Sequence, residues 1–491
     1  MASQLEKADH PEKLRRIAID PISRVEGHGK VTVLLDEHGK VHQVRLHIVE
    51  FRGFERFILG RPYWEVPVAV QRLCGICPVS HNLAACKAFD LVVGARTLTR
   101  TAEKVRRLMH YGQILQSHAL HFFHLASPDL LFGFGSDVAQ RNVFGVLDAY
   151  PELARRGILL RKFGQEVIRV TAGKRIHGTG CIPGGVNKAV TDAERDELRA
   201  YVPDALTWAA DAVRLMADLY AKNRAEFDRF GTVRSNIMSL VGKDGELDLY
   251  DGTLRARDAD GAILFDGLDC QQYASQLNEN VRSWTYMKFP FIGRLGPDDG
   301  WYKVGPLARL QNVDRIDTPL AEAARQELFA ISPGKVIHAP LAIHWARMIE
   351  LLHAVEVLER LLADPDIGGD DLIASGMRAR AGIGIIEAPR GTLIHHYEVD
   401  DQDLVTLCNL IVSTTHNNQA MNEAIREVAR QYIDGHEPTE GLLNHIEVAI
   451  RAFDPCLSCA THALGKMPLV VEFVDPAGTI VDRLERRSGG E

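Results

Sequence analysis

Two Cys-x-x-Cys pairs stand near opposite ends of the chain: Cys74-Gly75-Ile76-Cys77 and Cys456-Leu457-Ser458-Cys459, each followed by a histidine, His81 and His462. If the four sulfurs serve one site, the two ends must meet and the rest of the chain must fold around them. Two residues between cysteines let both sulfurs converge on one ion across a tight turn, where Gly75 is expected to relieve crowding. Four thiolates are soft donors, suited to zinc, an iron–sulfur cluster or a redox-active late transition metal. A structural zinc site accounts for four cysteines, but zinc ribbons close over a short local loop, and these pairs are separated by nearly the whole chain. A redox disulfide needs one pair only and leaves the other unexplained.

Eight cysteines in 491 residues are too sparse for a disulfide framework. Cys86, Cys181, Cys270 and Cys408 are scattered singletons, expected as buried apolar thiols, and they form no iron–sulfur motif. With 46% hydrophobic and 25% charged residues the chain is neither disordered nor collagen-like. Its length favours two or three sub-domains. A net charge of −8 does not favour a nucleic-acid partner. No run of 18 apolar residues offers a membrane span. The opening Met1-Ala2-Ser3-Gln4-Leu5-Glu6-Lys7 lacks the apolar stretch of an export signal, so a cytoplasmic location is expected.

The expected fold class is α+β and predominantly helical: a large helical-bundle core with an N-terminal β hairpin or sheet and smaller β-rich lobes. Lys30–Leu35 and Val41–Val49 read as strands joined by the turn Asp36-Glu37-His38-Gly39. Apolar residues recur at helical spacing over Leu98–His124. Thr191 and Glu194 make a capping-box pair ahead of an amphipathic stretch to about Phe230, which Pro203 should kink or restart. Asp-Gly turns at 244–245, 251–252 and 260–261 suggest a β-rich insertion. Further helices are expected over Leu341–Ala363 and residues 419–434. The expected divisions are 1–60, 61–240, 241–310, 311–462 and a C-terminal extension, 463–491, that reads as strand, turn and strand. His118, His121 and His124, three apart on a helix, are expected as packed or hydrogen-bonded core histidines. Gly382-Ile383-Gly384 is not a dinucleotide fingerprint, because Glu387 takes the third glycine's place and no βαβ unit surrounds it. The chain is therefore not expected to bind NAD itself.

The flanking residues sharpen the metal question. The pairs lie in Arg72-Leu73-Cys74-Gly75-Ile76-Cys77-Pro78-Val79-Ser80-His81 and Asp454-Pro455-Cys456-Leu457-Ser458-Cys459-Ala460-Thr461-His462. Three more elements are Arg24-Val25-Glu26-Gly27-His28, Arg52-Gly53-Phe54-Glu55 and Glu387-Ala388-Pro389-Arg390-Gly391. Together, in this order, they resemble the large, catalytic subunit of nickel–iron hydrogenases, from about Asp20 to the C-terminus. The Cys-Pro-x-Ser-His and Asp-Pro-Cys-x-Ser-Cys-Ala-Thr-His variants resemble its cytoplasmic, bidirectional, NAD-reducing branch.

The resemblance implies reversible, heterolytic cleavage of H2 at a nickel–iron centre whose iron carries carbon monoxide and cyanide. It implies that Cys74 and Cys456 are terminal ligands of nickel, and that Cys77 and Cys459 bridge the two metals. Arg390 and Ser413 fall at or near positions that donate to the cyanides, with Pro389 lining the same pocket. Glu55, His462 and a backbone carbonyl near Asn409 match ligands of a buried magnesium ion. His81 is expected to hydrogen-bond a bridging thiolate. Heterolytic cleavage needs a base beside the Lewis acid. Cys456 is the expected proton acceptor and Glu26 the next carrier, its pKa raised by burial; a salt bridge to Arg24 is the plain alternative for Glu26. Arg390, a permanent cation, is expected as an electrostatic clamp before a base. One departure bears on it: where the family often has Asp-His-x-x-His-Phe, this chain has Ser117-His118-Ala119-Leu120-His121-Phe122, leaving Asp454 to hold the arginine.

The implied partners are a small iron–sulfur subunit, diaphorase subunits carrying FMN, iron–sulfur clusters and NAD, and a maturation endopeptidase that cuts between His462 and Ala463 after nickel insertion. NADP- or factor 420-coupled enzymes share these motifs. A complex I-like subunit keeps the fold but lacks the four cysteines.

Overall fold

The computed structural model describes residues 14–461 and the backbone of 469–474 and 480–486. Three antiparallel strands open the chain, β1 (Arg15–Ile19), β2 (Gly29–Leu35) and β3 (Val41–Ile48), in the order β1-β2-β3. The predicted hairpin is thus present, with β1 added on its outer edge. A short helix, α1 (Phe54–Ile58), carries Glu55, and α2 (Pro78–Val92) begins directly after the first cysteine pair, with Pro78 in its first turn. That position suits proline, whose missing N–H would have no partner there.

Four long helices form the core: α3 (Arg100–Leu120), α4 (Pro151–Ala172), α5 (Val202–Lys222) and α6 (Ala342–Ala363). α3 packs on α4, and α6 packs on both α3 and α5. α6 is buried on nearly every face, its polar side chains His344, Arg347, Glu350, His353 and Glu356 included. The Thr191–Glu194 capping box forms as predicted and starts a short helix, Asp192–Arg199. The chain then restarts at α5, with Pro203 in its first turn. The predicted Leu98–His124 helix ends instead in a π-helical turn, His121–Ala126.

The β-rich segment begins a little earlier than expected. It contains β4 (Asn236–Val241), β5 (Thr253–Arg257) and β6 (Ile263–Leu268), with Tyr302–Lys303 pairing parallel to β4.

A second sheet, not foreseen in the sequence, comprises β7 (Ala381–Ala388), β8 (Gly391–Val399) and β9 (Val405–Ile411). β7 lies on α2. A Cβ at Gly382 would stand 1.9 Å from the Ala88 carbonyl oxygen, and one at Gly384 2.0 Å from that of Ala84. These glycines let the sheet approach the helix that carries the first cysteine pair, consistent with their rejection as a nucleotide loop. Two helices, α7 (Asn418–Tyr432) and α8 (Glu440–Ala452), lead to the second pair. In the extension, Leu469–Val474 pairs antiparallel with Ile480–Arg486. The turn between them, with His462 and the peptide bond to Ala463, lies outside the described residues.

Candidate metal centre

The two ends of the chain meet. Cys74, Cys77, Cys456 and Cys459 are buried and unpaired as disulfides, and their sulfurs all lie within 4.8 Å of one another. Cys74 Sγ is 3.3 Å from Cys456 Sγ, and Cys77 Sγ is 3.9 Å from Cys459 Sγ. Burial pushes the Cys456 and Cys459 thiols up, while hydrogen bonds from Cys456, Cys459 and Cys74 pull Cys77 down. The cluster's own hydrogen bonds favour a thiolate at Cys77. Four would require compensating positive charge, which is what a metal ion brings. Gly75 is not placed for space, since a Cβ there would meet nothing within 4 Å.

The Arg24–Gly27 segment runs beside the second pair. Glu26 and Cys456 form a parallel bridge, and Leu457 N donates to the Glu26 carbonyl at 2.9 Å. Gly27 (φ 85°) fits because a Cβ would come within 2.6 Å of Ser458 N. This close approach puts Glu26 Oε2 2.9 Å from Cys456 Sγ and 3.2 Å from Ser458 N. Arg24 does not pair with Glu26. It turns away through a left-handed backbone (φ 54°) to Asp129 at 2.6 Å and the Leu125 carbonyl at 2.7 Å. Glu26 is only half-buried, which corrects the expectation of a buried carboxyl.

Pro389 and Arg390 form the β7–β8 turn. With His81, Ser413, Thr414, Cys77, Cys456 and Cys459 they line one small cavity. Arg390 Nε donates to the Asp454 carbonyl at 2.6 Å, and Nη2 lies 3.2 Å from Asp454 Oδ1. Nη1 is buried with no partner among the described residues. Burial opposes the charge on Arg390, but Asp454 and the thiols outweigh it and hold the guanidinium charged. Asp454, itself in the left-handed region (φ 53°), therefore holds the arginine, as expected. Ser413 Oγ donates to the Gly391 carbonyl at 2.8 Å.

Sequence reasoning missed Thr414, whose hydroxyl accepts from Cys456 N at 2.9 Å. It also missed Arg309, fully buried, which pairs with Glu350 and Glu387 and donates to the Ala388 and Pro389 carbonyls. Nothing local marks an arginine 80 residues upstream as the support of this turn.

At the second expected metal position, burial raises the Glu55 carboxyl. Glu55 Oε1 accepts from Leu410 N at 2.9 Å, and Lys288 Nζ stands 3.8 Å away. The Asn409 side chain is engaged with the Tyr273 hydroxyl at 3.0 Å. Arg52 N and Gly53 N donate to the Thr461 carbonyl, which brings the last described residue of this segment beside α1. His462 is outside the described residues.

His118 bonds Glu350 at 3.0 Å and His121 the Arg451 carbonyl at 2.7 Å; both are core histidines, as expected. His124 is partly buried on the same π-helical turn. Of the singleton cysteines, Cys86 and Cys181 are buried in an apolar cluster as expected, whereas Cys270 and Cys408 are only partly buried, which corrects the expectation for those two. Among the described residues, the four cysteines form the one cluster of three or more cysteine, histidine or acid side chains close enough to share an ion.

The family described as "Nickel-dependent hydrogenase" matches residues 52–132 and 250–462, and one described as "HoxL-like" matches 16–51. The chain belongs to the nickel-dependent hydrogenase family. This hydrogenase large subunit is 47% identical over 487 residues to the NAD-reducing hydrogenase HoxS subunit beta of Cupriavidus necator, covering 96% of this chain and 100% of that one. The corresponding chain of the vhc F420-non-reducing hydrogenase from Methanococcus voltae is 39% identical, with 93% of this chain and 97% of that one covered. A solved NAD+-reducing [NiFe]-hydrogenase in the H2-reduced state superposes with a TM-score of 0.90 at 60% identity, over 91% of this chain and 99% of that one. Family and site agree: a zinc ribbon requires neither a carboxylate on one thiol nor a charged arginine with a free N–H beside the cluster. Among the described residues, no helix of this hydrogenase chain is long and apolar enough to cross a membrane.

Proposed function

We propose that this hydrogenase subunit splits H2 reversibly in the cytoplasm and passes its electrons, through partner subunits, to NAD+. The observation that carries the reading is the meeting of four buried sulfurs from the two chain ends, with Glu26 hydrogen-bonded to one of them. Cys74 and Cys456 would hold nickel terminally, and Cys77 and Cys459 would bridge it to iron. Bound there, the nickel–iron pair, its iron carrying carbon monoxide and cyanide, supplies the electron-pair acceptor and the redox capacity for heterolytic cleavage.

The chain's own residues handle the proton and the electrostatics. Cys456 Sγ takes the proton and passes it to Glu26 Oε2 across 2.9 Å. From half-buried Glu26 it leaves the cluster. Arg390, fixed as a cation by Asp454, offers its unpartnered Nη1 to the diatomic ligands. Pro389 keeps that wall dry, and Ser413 can turn its hydroxyl from Gly391 to the same ligands. His81 donates to bridging Cys77. Glu55, His462 and the Asn409 carbonyl would bind Mg2+; Lys288, 3.8 Å from Glu55, has Glu279 as its nearer partner at 3.0 Å.

Electrons leave through a diaphorase carrying FMN, iron–sulfur clusters and NAD, reached by way of a small iron–sulfur subunit; among the described residues of this chain the four cysteines form the one cluster of thiols placed to share metal ions. An endopeptidase would remove 463–491 after metal loading; the family match ends at His462.

The test is to purify the complex, measure nickel, iron and zinc, and assay H2-dependent reduction of NAD+, NADP+ and a deazaflavin. Nickel with iron, and preference for NAD+, are expected. Zinc alone defeats the reading, and preference for another acceptor moves it to a different branch. Mass spectrometry of active protein ending at Glu491 would rule out processing.

A further inference from the structure

Strand β8 places His395 and Tyr397 two residues apart, so both side chains stand on one face of the sheet. That face is the one covered by α2, which carries His81. His81 Nδ1 is 3.1 Å from His395 Nε2, and His395 Nδ1 is 2.7 Å from the Tyr397 hydroxyl. All three are buried, at 1%, 0% and 0% exposure. Phe89 of α2 stacks on the Tyr397 ring with centroids 4.6 Å apart. His81 also lines the small cavity beside the cluster together with Cys77, and its ring helps to lower the Cys77 thiol. With Nδ1 turned to His395, the nitrogen left for the sulfur is Nε2.

With both rings neutral, one proton arrangement satisfies every group. The Tyr397 hydroxyl donates to His395 Nδ1, His395 Nε2–H donates to His81 Nδ1, and His81 Nε2–H donates to Cys77 Sγ. In the reverse arrangement His81 would turn a lone pair towards an electron-rich sulfur. The Tyr397 hydrogen would then be buried with no other acceptor among the described residues, which is costly. Burial also raises the Tyr397 phenol, so it stays protonated and able to donate.

We propose that Tyr397 is a positioning residue which, through His395, fixes the tautomer of His81 so that an N–H is always directed at the sulfur of Cys77. The inference rests on the assignment of Cys77 as a ligand bridging the two metals. An N–H on a thiolate withdraws electron density from it and so from the metals it binds. Tyr397 would thus tune the centre without touching it.

The test uses the loaded complex and two readouts other than turnover: the infrared stretches of carbon monoxide and cyanide on iron, and the midpoint potential of the centre. Tyr397→Phe is expected to shift the stretches to lower wavenumber and lower the potential, at unchanged nickel and iron content. His395→Ala should give a shift at least as large, and the double variant no more than His395→Ala alone. Phe89→Leu loosens the packing of the tyrosine ring but keeps the hydroxyl, and should leave the bands in place. Unmoved bands and potential in Tyr397→Phe overturn the proposal, as does an equal shift in Phe89→Leu. Wild-type complex lacking such bands or the two metals would instead overturn the cluster assignment beneath it.

Discussion

Glu26 is a half-buried carboxylate joined at 2.9 Å to a fully buried thiol, so it connects the interior of the cluster with its outside. Replacing it by glutamine keeps size and the Ser458 hydrogen bond but removes the proton site. Glu26→Gln should retain nickel and iron while H2 uptake and H/D exchange with solvent fall by about 10²–10⁴-fold, the usual worth of a positioned proton carrier. Exchange at the wild-type rate would show that protons leave elsewhere. Arg390 was readable in the sequence because Glu387–Gly391 forms a contiguous motif. Its attachment to Asp454 required only that the two motifs meet. The fate of Arg24 was not readable, because its partner, Asp129, lies 105 residues away and no local pattern links them.

The β7–β8 turn shows what an element needs to hold a functional residue still. Arg309 ties its carbonyls to two buried acids. Arginine pulls Glu350 down to about 2 although burial opposes this, whereas burial prevails at Glu387, whose pKa is raised. Arg309→Met would leave both carboxylates uncompensated and should cost about 3–5 kcal/mol in urea unfolding, with a parallel loss of metal loading as the turn loosens. At the other extreme, Thr191→Ala removes a cap remote from the cluster. It should cost about 1 kcal/mol and leave H2 oxidation unchanged. The capping box was legible because it is a four-residue local pattern. The β7–β9 sheet was not. Ile385, Ile394 and Ile411 face one apolar cluster while Ile386, Leu393 and Leu410 face another. Burial on both faces erases the alternation by which a strand is recognised.

Across the whole molecule, buried neutral histidines set the response to acid. Burial is the main cause holding His47, His110 and His118 down at about 4 and His416 at about 3, against an ordinary 6.5. Between pH 6.5 and about 4 the unfolded chain takes up these protons and the folded chain does not. Stability should therefore fall as pH drops through this window, by about 1.4 kcal/mol per pH unit for each such histidine. Urea midpoints at about pH 7.5, 6 and 5 would measure it, and His416→Gln should flatten the slope by one proton. A flat profile down to about pH 5 would mean that these rings take up protons in the fold at the same pH as in the unfolded chain.

Sequence alone pointed to the chemistry, through four sulfurs, a carboxylate and an arginine in short motifs, and to the helices and hairpins whose signals fit within a few residues. Tertiary packing settled how far apart these groups stand, that Glu26 is half exposed, that Arg309 supports the arginine turn, and that Tyr397, His395 and His81 form one hydrogen-bonded chain. Chemical identity is carried by single residues and short spacings. Contact between residues hundreds of positions apart depends on how helices and sheets pack, which no short stretch of sequence encodes.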